Sequence, residues 1–78
     1  MHDAIKAIRR YEVMMSHPRA KRIPAAAWDG LEYRLHRLAQ WYRSVNEGIS
    51  ERCYARANMA CAAANLAARN PALQSREG

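Results

Sequence analysis

Residues 57–68 read ANMACAAANLAA, and no other stretch limits the fold of this chain more. Alanine is the best helix former, yet it has no side chain beyond Cβ with which to bury surface. A helix built this way contributes to a core only where a second helix axis comes close, toward the short end of the usual range of about 8–10 Å. Tyr54, Ala57, Cys61, Ala64 and Ala68 recur at spacings of three and four, so the sequence predicts a helix over 51–69 with a smooth face for a partner.

The preceding segment supplies that partner. Trp28, Leu31, Leu35, Leu38, Tyr42 and Val45 alternate spacings of three and four, which predicts one seam on a helix over 24–47. Pro24 suits the start of this helix, because its missing N–H would have no helical partner there. Gly30 interrupts the seam helix, and a close neighbouring backbone is the expected reason. Asn46-Glu47-Gly48 reads as a stop with Gly48 left-handed, and Ser50 as the cap of the next helix. So short a link makes the two helices antiparallel neighbours.

Upstream, Ala4, Ile8, Tyr11 and Met15 mark the buried stripe of a shorter helix over 3–16, with Asp3 as its cap and His17-Pro18 as its end. The expected fold is all-α, a single domain over residues 1–70. It comprises a short N-terminal helix, a long antiparallel helical hairpin, and a flexible tail at 71–78.

Fifteen residues are large aliphatics or methionines and six are aromatic, a thin supply for a core. A chain of 78 residues also buries a smaller fraction of its surface than a larger one. Pairing into a homodimer helical bundle is therefore expected. Met59, Ala62 and Leu66 form a second apolar stripe on the third helix, the candidate surface for a subunit or for the first helix. Asn58 and Asn65, one heptad apart, are either a register-fixing pair in such an interface or solvent-facing residues.

Function is less constrained than fold. His2, His17 and His36 show no ligand spacing, the acids are scattered, and the glycines at 30, 48 and 78 form no phosphate loop. The expectation is a protein that is not an enzyme, with no cofactor and no metal. Asp29 and Glu32 are expected to pair with Arg34 and Arg37 on the surface. Cys53 and Cys61, about 12 Å of helical rise apart, cannot form a disulfide with each other. Both fit a reducing cytoplasm as packing residues. The competing reading makes Cys53 an activated thiol near a helix start, beside Arg52. No secretory leader or 18-residue apolar span is present, so a cytoplasmic protein without a membrane segment is expected.

Two candidate surfaces remain. Tyr33, Arg34, Arg37 and Trp41 lie off the main seam of the second helix, and aromatic and Arg residues supply most hot spots in protein interfaces. The bland reading makes Trp41 a core edge and Tyr33 a surface residue. The second surface follows from charge: the net charge is +6, and residues 1–22 hold six basic residues against two acids. Lys6, Arg9, Arg10, Arg19, Lys21 and Arg22 could neutralise phosphates, although no established nucleic-acid motif accompanies them. Eleven arginines and sixteen alanines, both encoded by GC-rich codons, point to a bacterium or one of its mobile elements. The favoured expectation is a small phage or mobile-element accessory protein that binds and modulates, chiefly inhibits, a bacterial host protein such as a regulator or defence factor. The alternative is a basic, dimeric nucleic-acid-binding regulator.

Overall fold

The computed structural model describes residues 1–71, and every regular element among them is helical. Helix α1 spans His2–Ser16, a single 3-10 turn spans Ala20–Arg22, α2 spans Ala25–Tyr42 and α3 spans Glu47–Ala68. Most tertiary contact is between α2 and α3, with α1 laid against both. The expected flexible tail, Pro71 apart, lies outside the described residues.

Helix α1 buries Ala4, Ala7, Ile8 and Tyr11, an i, i+3, i+4, i+7 stripe. Its end is set as expected: His17 takes extended backbone angles (φ −67°, ψ 139°) ahead of Pro18. Met15 departs from the expected stripe and is half-exposed, whereas its neighbour Met14 packs against the core in the last turn. The Arg19 N–H then donates to His17 Nδ1 at 3.0 Å, closing the turn into the connector.

Helix α2 buries Trp28, Leu31, Leu35, Ala39 and Tyr42, while Leu38 packs half-buried at the core edge. Val45, expected in the seam, is exposed because α2 ends at Tyr42 and a tight turn follows. The N–H groups of Val45 and Asn46 both donate to the Tyr42 carbonyl, at 3.0 and 2.8 Å. Gly30 has open space where a Cβ would stand, so no backbone passes close by, and nothing in the structure explains this glycine.

The start of α3 also differs from expectation. Asn46 is the cap: its Oδ1 accepts from the Ile49 N–H at 3.2 Å, the usual bond to the third helical position. Gly48 is helical and no described glycine has positive φ, so it is not a left-handed stop. Ser50 instead faces inward and its Oγ donates to the Ala39 carbonyl at 2.7 Å. That bond joins α2 to α3 where both carry small residues.

The alanine face does meet α2, turned from its expected orientation. Ile49, Ser50, Cys53, Ala57, Ala60, Ala64 and Ala67 are buried, whereas Tyr54 and Cys61 are half-buried and Ala68 is exposed. Ala57 and Ala64 belong to both faces, so the offset amounts to about 50° of helix rotation at 100° per residue. Asn58 and Asn65 are solvent-exposed in the monomer.

Candidate functional site

Two solvent-facing regions gather the residues of interest. The first is the side of α2 directed away from the core. Tyr33, Arg37 and Trp41 are four residues apart in turn, and Arg34 is seven before Trp41, which places all four within about 100° of the helix surface. Tyr33 is 66% exposed and Trp41 64%. The Arg37 guanidinium lies over the Tyr33 ring, 5.9 Å from its centroid, within cation–π range. Trp41 leans edge-on against Tyr42, with centroids 4.7 Å apart and planes at 78°. One edge of the indole is thus braced by a buried residue while most of the ring stays in water.

Among the described residues no carboxylate partners these arginines. Asp29 and Glu32 do not form the expected ion pairs with Arg34 and Arg37, and Glu32 instead lies 3.8 Å from His36. The charge of Glu32, foremost, followed by burial of the thiol and a hydrogen bond with Glu32, raises the pKa of Cys61. The face therefore presents two aromatic rings and two unneutralised guanidinium groups, a set suited to contact with a protein surface.

The second region lies where α1 meets the connector. Arg10, Arg19 and Arg22 line a groove of about 550 Å³ together with His17, Val13 and Ile23, and among the described residues no acidic side chain lines it. This convergence joins one helix-one arginine to two from the connector, a grouping that sequence spacing alone does not give. Lys6 and Arg9 are exposed on α1 outside the groove, and Lys21 lines a different one on the other side of the connector. The expected six-residue basic cluster is thus divided, with three guanidinium groups together.

Cys53 is not an activated thiol. Its side chain is fully buried, and burial pushes its pKa up, outweighing the opposite influence of Arg52. Among the described residues no group of three His, Cys, Asp or Glu side chains could hold a metal ion, and no helix is long and apolar enough to cross a membrane.

A polar contact between distant segments was not legible in the sequence. Tyr42 donates its hydroxyl hydrogen to Asp3 Oδ1 at 2.7 Å, and Asp3 also accepts from the Ala4 N–H at 2.8 Å. The Tyr42 bond, foremost, holds the Asp3 carboxyl below the usual carboxylate range, and the same bond raises the Tyr42 phenol. Nearby, the Asn46 side-chain amide approaches Met1 Sδ at 3.1 Å.

Met59, Ala62 and Leu66, the expected second stripe, are exposed and line an apolar groove of about 650 Å³ with Tyr11, Trp28 and Met15. A clue was present in the sequence, since the first helix is too short to cover the third along its whole length. The chain matches no known family, no curated protein and no solved structure.

Proposed function

We propose that this protein is a non-enzymatic interaction module whose α2–α3 antiparallel hairpin presents the outward face of α2 to a bacterial protein and inhibits it by occupying its surface. The observation that carries this reading is the exposure of Tyr33 and Trp41, two-thirds each, on one face with Arg34 and Arg37. Large aromatic rings left in water at this density are unfavourable for a monomer and favourable for an interface, where their burial and the guanidinium bonds act together. A source in a bacterial mobile element accords with the Arg- and Ala-rich composition, and a regulator or defence factor of the host is the kind of target proposed.

A second reading has its own support. Arg10, Arg19 and Arg22 converge on a groove with no acid among its described lining residues, an arrangement that suits phosphates and would make the protein a nucleic-acid-binding regulator. Tagged protein recovered from bacterial lysate, with and without nuclease, separates the two. The first reading expects a stoichiometric protein that survives nuclease and moderate salt, is lost with Tyr33→Ala/Trp41→Ala, and is kept with Arg10→Ala/Arg19→Ala/Arg22→Ala. Recovery of nucleic acid alone, lost with the triple arginine variant and steeply weakened by salt, would replace it with the second.

A further inference from the structure

The apolar groove belongs to neither surface. It exists because α1 has 15 residues and α3 has 22, a difference of about 10 Å of helix. Glu12 of α1 faces Arg56 of α3 at 3.9 Å and α1 ends four residues later at Ser16, so the part of α3 beyond about Ala60 runs past the end of α1. Ala20, Lys21 and Ile23 of the connector border the space that remains. Tyr11 and Trp28 form one wall, their rings 6.0 Å apart, and Met59 and Leu66 form the opposite lip, with Leu66 69% exposed.

We propose that this groove binds a single-chain amphipathic anion, an alkyl carboxylate of the fatty-acid type, with the chain along Met15, Met59 and Leu66 beside the buried Trp28 and the carboxylate at Lys21. The size fits: about 650 Å³ falls within the roughly 300–1,000 Å³ of small-molecule sites, and the lining is apolar with few polar groups. Charge complementarity selects the head group. Lys21 is the one charged residue among the described lining residues, it is exposed, and it makes no ion pair with a described carboxylate. Arg10, Arg19 and Arg22 stand on the other side of the same connector and add to the positive potential. A long lysine stem can lie along apolar surface with its ammonium in water, which is the geometry that an alkyl carboxylate matches end to end. A second copy seated through Met59 and Leu66 is the competing occupant.

The test uses the full chain carrying Trp41→Phe, so that fluorescence reports Trp28, titrated with decanoate and with neutral decanol below their aggregation limits. Decanoate is expected to bind saturably at one per chain. Lys21→Met should weaken decanoate about three- to fivefold, the size of an exposed charge pair, and leave decanol within twofold. Ala62→Trp, which fills the groove from an exposed position, should weaken both ligands at least tenfold, and Leu66→Gln should weaken both without altering helix content. Sedimentation mass should be the same for Ala62→Trp as for the parent. Absence of saturable decanoate binding, or decanoate affinity indifferent to Lys21→Met, would overturn the proposal. A ligand-free dimer that Ala62→Trp converts to monomer would overturn it in favour of the second copy.

Discussion

The two ends of this molecule are built on opposite terms. Where α1 begins, polar groups tie all three helices: Tyr42 to Asp3, Ser50 to Ala39, and Asn46 to the first turn of α3 and to Met1. Where α1 stops, Met15 and Leu66 are exposed, an apolar groove stays open, and Arg10, Arg19 and Arg22 face water without an acidic partner among the described residues. A thin core does not cover three helices along their full length, and the uncovered surface falls where the shortest helix ends. The polar ties between helices are concentrated at the first end, whereas the open apolar groove and the arginine-lined groove lie at the second, and Tyr33 and Trp41 stand exposed along the outer side of α2.

Substitutions at the two ends should therefore differ in kind. The largest effect is expected from Ala39→Leu at the closed end, where there is no room beneath the Ser50 bond. Overpacking there should cost about 2–3 kcal/mol, read by urea denaturation followed by circular dichroism. Leu66→Ala, although it changes as many apolar atoms in the opposite direction, should stay within about 0.5 kcal/mol because Leu66 is already exposed. Equal losses at the two positions would break the comparison.

Next in size is Ser50→Ala, which removes one buried side-chain hydrogen bond and should cost about 1 kcal/mol in the same assay. A neutral result would mean that the Ala39 carbonyl does not need this donor and that α3 is oriented by packing alone.

Tyr42→Phe sharpens the comparison through pH. The Asp3 carboxyl lies below its ordinary 3.8 in the folded chain, so its contribution is complete above that value and is lost as pH falls through the lowered one. The Tyr42 phenol lies above its ordinary 10.0, so its contribution is complete below pH 10 and is lost as pH rises through the raised value. Melting temperature followed against pH should show both limbs in the parent, a weaker acid limb in Tyr42→Phe, and no alkaline loss from this residue. Because the lowered value comes foremost from a hydrogen bond with a neutral phenol, added salt should change the acid limb little.

The smallest effect on stability is expected from Tyr33→Ala and Trp41→Ala, each within about 0.5 kcal/mol of the parent. A loss of 2 kcal/mol from Trp41→Ala would assign the indole to the fold through its contact with Tyr42 and weaken the case for a binding face.

The sequence carried most of the large-residue pattern. Trp28, Leu31, Leu35 and Tyr42 are buried as their spacing predicts, and His17-Pro18 ends α1, because large side chains and proline impose strong local constraints. The rotation of α3 was harder to read. With alanine at 55, 57, 60, 62, 63, 64, 67 and 68, apolar contrast around the helix is too weak to select a face. The selection comes from Ile49, Ser50 and Cys53 at its first turns, and one of these is polar. The boundary between α2 and α3 was misplaced for a related reason: Asn46, Gly48 and Ser50 all suit a helix border, and which one caps depends on Ser50 meeting Ala39 across the interface. Of the candidate surfaces, the grouping of Tyr33, Arg34, Arg37 and Trp41 follows from helical spacing. The division of the basic cluster depends on a 3-10 turn that sends Lys21 to one side and Arg19 and Arg22 to the other.

The most direct test of the proposed function is photo-crosslinking in bacterial cells, with benzoylphenylalanine placed at position 33 in one protein and at position 22 in another. A discrete protein adduct from position 33, with none from position 22, is the predicted result. An adduct from position 22 alone, or nucleic acid crosslinked there with nothing at position 33, would contradict the assignment of the α2 face as the partner-binding surface.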